Sequence, residues 1–163
     1  MSVHSGNYSF LPVDLEGLDR KICYYQEMEQ KIKREAGDSC RQTAETYHDN
    51  FMFEQSKRNL EFNTSMLNTL DKIKGFAVLV QPTAQIERVE IGNWVSFRCR
   101  EDGTEDRLCI GSYRTYRDEE APDVVSYDSP LGNVLLGRRV GEATSPVVVG
   151  RASKTYIVQS IEL

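Results

Sequence analysis

The chain has 163 residues, 39% hydrophobic and 28% charged, with a formal net charge of -5. Those proportions fit a folded globular protein and exclude intrinsic disorder, and the acidic balance excludes a general binder of naked nucleic acid, whose affinity rests on Lys and Arg. No apolar run reaches the ~20 residues that span a bilayer, and Met1 to Pro12 lacks the basic and apolar regions of a secretory signal, so a cytoplasmic location is expected.

The first half reads as helix. From Asp14 to Gly75 there is no proline, and the only internal glycines are Gly17 and Gly37. A first helix is expected to open at Pro12-Val13-Asp14 with Asp14 as N-cap, and to end near Ala36-Gly37. Its apolar positions, Leu15, Leu18, Ile22, Tyr25, Met28 and Ile32, recur at steps of three and four, which is a heptad seam with one slip. A second helix starts between Thr43 and Asp49. Phe53, Leu60, Leu67 and Leu70 form its stripe, Ser56 and Asn63 fill the intervening seam positions, and Met66 and Ile73 widen it. Two such helices joined by a short loop make an antiparallel hairpin, about 40 Å long at ~1.5 Å per residue, with its turn between Gly37 and Ala44. The plainer reading is an ordinary helical pair, which an amphipathic stripe does not separate from a coiled coil.

The second half reads as strands and turns. Val95, Phe97 and Cys99 share one face, and Trp94, Ser96 and Arg98 the other. Glu101-Asp102-Gly103-Thr104 supplies a hairpin turn into a return strand from Arg107 to Ile110. Val124 to Tyr127 is a third strand. Ser129 then caps a short helix with Pro130 at its first position; Leu131, Val134, Leu135 and Leu136 supply its buried face, and Gly137 ends it. Val147 to Val149 and Thr155 to Ile161 are expected to form a final hairpin. The cysteines, Cys23, Cys40, Cys99 and Cys109, form no C-x-x-C pair, and only His4 and His48 stand by to complete a zinc site, so reduced thiols are expected. No phosphate loop, nucleophile elbow or H-E-x-x-H motif marks an independent active site.

The run from Ser126 to Glu142, with Ser129-Pro130, Leu135-Leu136-Gly137-Arg138 and Gly141-Glu142, resembles the C-terminal domain of the bacterial GreA/GreB transcript-cleavage factors. Ile91-Gly92-Asn93-Trp94-Val95 is similar to that family's opening strand, Cys109-Ile110-Gly111-Ser112 to its "I-V-G" strand end, and Tyr156 to Ile161 to its closing strand. The resemblance implies an α+β fold: an N-terminal tail at 1–13, a coiled-coil hairpin at 14–75, a linker at 76–83, and an FKBP-like β-rich domain at 84–163. It implies a transcription factor that binds RNA polymerase at its secondary channel and modulates elongation or the cleavage of backtracked transcripts. Such a factor is not an enzyme but at most a stimulator of the polymerase's own cleavage activity. In the family the Ser-Pro segment faces the polymerase, so Tyr127, Asp128, Ser129 and Pro130 are the expected contacts. A monomer touching nascent RNA, without a membrane, is expected.

The tip is where this sequence departs. The family tip presents an Asp and a Glu that help hold the second magnesium ion of the polymerase. Here Gly37-Asp38 matches, but three residues on stands Arg41, and an alignment anchored at Ala44-Glu45 places Gln42 there instead. The resemblance therefore implies Asp38 as a metal-facing carboxylate, Glu45 or Glu35 as substitutes for the second, and Arg41 as a cation that opposes the ion or faces RNA phosphate. No cofactor of its own is expected beyond Mg2+ shared in the polymerase active centre. The rival readings are an FKBP-like peptide binder, which needs a deep aromatic pocket, and a coiled-coil adaptor with no role in cleavage.

Overall fold

A computed structural model describes residues 7–42, 50–83, 86–116, 123–150 and 152–163. The chain forms two compact units, Leu18–Phe76 on one hand and Met1–Gly17 with Ala77–Leu163 on the other. These divide it differently from the expected boundaries, because the supposed tail joins the β-rich part.

Helix α1 spans Pro12–Gln42 and α2 spans Asn50–Gly75. Leu11, not Asp14, caps α1: its carbonyl accepts from Asp14 N at 3.1 Å and Leu15 N at 3.0 Å. Pro12 takes the first helical position, where a missing N–H costs nothing. Asp14 lies inside the first turn and is fully buried. Ser112 Oγ donates to its Oδ2 at 2.6 Å and accepts from Leu11 N at 2.8 Å, so one hydroxyl joins the cap residue to the buried carboxylate. The expected stop at Gly37 is also corrected, since α1 runs through it to Gln42. One internal glycine costs a helix only ~1 kcal/mol, too little to end a run held by neighbouring backbone bonds. The span expected as a turn, Gly37 to Ala44, is therefore helical as far as Gln42, and residues 43–49, including Glu45 and the expected start of α2, lie outside the described ones.

Within the helical unit the heptad reading holds. Leu18, Ile22 and Ile32 are buried on α1, and Leu67 and Leu70 on α2. The polar seam position Asn63 is 2% exposed, and its Nδ2 donates to the carbonyl of Tyr25 at 2.8 Å. Lys74 pairs with Asp19 at 2.7 Å. Position 25 thus meets 63 and position 19 meets 74, so the helices run antiparallel. No helix of the described residues is long and apolar enough to cross a membrane.

In the other unit, β1 (Tyr8–Phe10) pairs in parallel with β2 (Ala77–Leu79), so segments expected as tail and linker form a ribbon. The main sheet holds β3 (Trp94–Cys99), β4 (Glu105–Gly111), β5 (Val124–Ser126) and β8 (Tyr156–Glu162), in the order β5-β4-β3-β8. Val95, Phe97 and Cys99 face the core as the alternation predicts. The expected final hairpin is corrected: β6 (Val147–Val149) turns back on β7 (Ala152–Lys154), and β8 pairs antiparallel with β3. That pairing brings Tyr156 edge-on to Phe97, ring centroids 5.2 Å apart, and buries Val158 beside them. Helix α3 (Pro130–Leu135) forms as expected, with Ser129 Oγ accepting from Gly132 N at 3.0 Å and Leu135 fully buried. Gly137, at φ +77°, ends it and donates its N–H to Val89 O at 2.8 Å.

Two outcomes follow for stability. Gly17 sits in α1 where an added Cβ would lie 1.9 Å from the carbonyl oxygen of Tyr116. Gly→Ala inside a helix ordinarily gains ~1 kcal/mol; here Gly17→Ala is expected to lose about 1–3 kcal/mol through overpacking, and an unchanged or raised urea midpoint would contradict the close approach. Ser112→Ala removes a partner from both Asp14 and Leu11 N, and is expected to cost about 1–3 kcal/mol in the same titration.

Candidate functional site

The predicted tip residues are carried by α1. Its backbone is helical through positions 38 to 42, so Asp38 and Arg41 stand three residues apart on one continuous helix, about one turn. Glu45, the other proposed acidic residue, lies outside the described residues, as do Tyr47 and His48. Among the described residues no group of three or more His, Cys, Asp or Glu side chains is arranged to hold a metal ion. Cys23 is exposed, and Cys99 and Cys109 are buried.

The predicted docking segment divides into inward and outward residues. Tyr127 is 7% exposed, packs in the core, and its hydroxyl accepts from Ser9 N at 3.2 Å. Asp128 and Pro130 are exposed, and Ser129 is half-buried by its capping role. Ser126 Oγ shapes this corner, donating to Tyr113 O at 2.9 Å and accepting from Asp128 N at 3.1 Å.

The sequence reading missed the neighbours of that segment. Tyr8 and Tyr113 stack with centroids 4.1 Å apart, Tyr113 lies 6.5 Å from the ring of Tyr127, and the guanidinium of Arg114 sits 5.6 Å over Tyr113. Tyr-Ser-Phe at 8–10 and Tyr-Arg-Thr-Tyr at 113–116 are dense in aromatics, a signal available but hidden in what was taken for a tail and a loop.

Elsewhere, charge serves the fold. Lys154 hydrogen-bonds Asp102 at 2.8 Å and, with Thr104, holds that carboxyl far below the usual carboxylate range. Glu101 is likewise lowered by the backbone N–H of Thr155. These contacts fasten the β3–β4 turn to β7 and β8. A groove of about 600 Å³ is lined by Val80, Gln81, Thr83, Arg88, Val89, Glu90, Ile91, Leu136 and Gly137. No aromatic side chain lines it, so it lacks the feature an FKBP-like peptide pocket requires.

Residues 83–163 match the family model described as "Transcription elongation factor, GreA/GreB, C-term". Among characterised proteins, the chain is 29% identical over 157 residues to the transcription elongation factor GreA of Thermotoga neapolitana, covering 93% of this chain and 91% of that one. It is 30% identical over 140 residues to the GreA of Thermotoga maritima, covering 83% and 80% respectively. Among solved structures, GreA factor homolog 1 (Gfh1) of Thermus thermophilus aligns over 96% of this chain and 99% of its own, at 19% identity and a TM-score of 0.43. On the sequence match to GreA, which spans both halves of the chain, this protein belongs to the GreA/GreB family of transcription elongation factors.

Proposed function

We propose that the chain is a monomeric cytoplasmic factor of RNA polymerase that inserts its helical hairpin into the secondary channel, docks through the surface around Asp128 and Pro130, and occupies the channel without restoring transcript cleavage. Family membership supports the polymerase as partner. The observation that carries the absence of cleavage is Arg41, one turn along a continuous helix from Asp38. A second carboxylate at that position would add an oxygen ligand; a guanidinium repels a divalent cation and suits a phosphate of nascent RNA. The factor brings no magnesium of its own. It is not an enzyme, and its effect is exerted on the activity of the polymerase.

The test is a cleavage assay on backtracked elongation complexes of the cognate polymerase. The wild type is expected to leave cleavage near the polymerase's own rate and to compete with a cleavage-competent Gre factor. Arg41→Glu is expected to raise cleavage several-fold. Strong wild-type cleavage that disappears in Asp38→Ala would overturn the non-cleaving reading and point to Glu45 or Glu35 as the second carboxylate. Inactivity without competition would remove the channel reading.

Asp128→Arg is expected to weaken binding to core polymerase about tenfold, a loss of ~1.4 kcal/mol, with little change in thermal midpoint, because the side chain is exposed. Unaltered binding would count against this surface.

A further inference from the structure

We infer that the docking surface extends beyond the Ser-Pro segment, across the stacked pair Tyr8 and Tyr113 to Arg114, and that it accepts a polymerase segment bearing a carboxylate and a cation on either side of an apolar side chain. The inference rests on the polymerase reading above.

Three observations carry it. First, the pieces are physically joined: Ser126 Oγ bonds both the carbonyl of Tyr113 and the backbone N–H of Asp128, so the tyrosine and the aspartate flank a single hydroxyl. Second, the rings of Tyr8 and Tyr113 are only half-buried although they stack at 4.1 Å, which leaves a rigid aromatic platform at the surface. Third, Arg114 and Asp128 are both exposed, and among the described residues neither side chain forms an ion pair or a hydrogen bond. The guanidinium of Arg114 lies 5.6 Å from the centroid of the Tyr113 ring.

An aromatic platform bordered by a cation and an anion offers a partner both signs of charge. Such a surface selects its partner by charge complementarity, which governs specificity and association rate more than raw affinity. Aromatic and Arg side chains are also the residues that dominate binding energy when covered. Nucleic acid answers only half of this site: its phosphates suit Arg114 but leave the carboxylate of Asp128 without a counter-charge. A protein segment with one acidic and one basic side chain satisfies both ends.

The experiment measures binding of the full-length chain to core polymerase free of nucleic acid, by fluorescence anisotropy at several salt concentrations, beside thermal melts. Arg114→Glu is expected to raise Kd about tenfold, slow association and flatten the salt dependence, at unchanged thermal midpoint. Tyr113→Phe is expected to bind like the wild type, and Tyr113→Ser to bind weakly. If Tyr113→Ser fails to fold, the Arg114 variant alone decides. Wild-type binding matched by Arg114→Glu overturns the extension and leaves the polymerase reading intact. Absent wild-type binding overturns both. Arg114-dependent binding of the chain to a short single-stranded RNA, with polymerase binding unaffected, overturns the protein-segment assignment.

Discussion

A carboxylate buried where a helix begins must be answered by hydrogen-bond donors, and much of the β-rich unit is arranged around that requirement. Asp14 is fully buried, and the hydroxyl of Ser112, just beyond the end of β4, answers it. The same hydroxyl accepts from Leu11 N, which follows β1. A single side chain therefore ties the end of β4, the exit of β1 and the first turn of α1. Close packing reinforces the tie, since only glycine at position 17 leaves room for the carbonyl of Tyr116. Removing one partner from a buried polar group costs more than a surface contact can return, so this small polar knot fixes the start of the helix.

The hairpin is held by a different kind of constraint. Its seam is partly polar, and its buried Asn63 finds a backbone carbonyl on the facing helix. A buried amide of this type sacrifices apolar contact but penalises every register in which it has no partner. A slip of one heptad would displace one helix along the other by about 10 Å and leave the Asn63 amide without its carbonyl. Positions 38 and 41 keep their backbone spacing through the same continuity of α1.

Local chemistry was readable where a pattern repeats or a cap has a fixed grammar. The heptad positions Leu18, Ile22, Leu67 and Leu70, the alternation of Val95, Phe97 and Cys99, and the Ser129-Pro130 helix start all belong to this class. What escaped was long-range. Asp14 looked like a cap because Asp is a good one, and nothing nearby announced Ser112. Three residues, Tyr8 to Phe10, are too few to display a strand period, and their partner at 77–79 is far along the chain. The partner of β8 proved to be β3 rather than β6, a choice made by the burial of Tyr156 and Val158 across the sheet. The exposed positions Asp128 and Pro130 lie on a motif the sequence displays; the stacking of Tyr8 on Tyr113 does not show there, since it joins segments about a hundred residues apart.

The parallel pairing of β1 with β2 has a consequence for the order in which the chain assembles. Tyr8–Phe10 leaves the ribosome early, but its partner Ala77–Leu79 is made only after both long helices. Until then β1 has no neighbour in the ribbon. An unstructured loop of that length carries a closure entropy that grows with the logarithm of its size; a helical hairpin formed first brings the two ends of the loop together and lowers that cost. Helices built from local contacts form fast, and their antiparallel pairing returns the chain from the end of β1 to the start of β2.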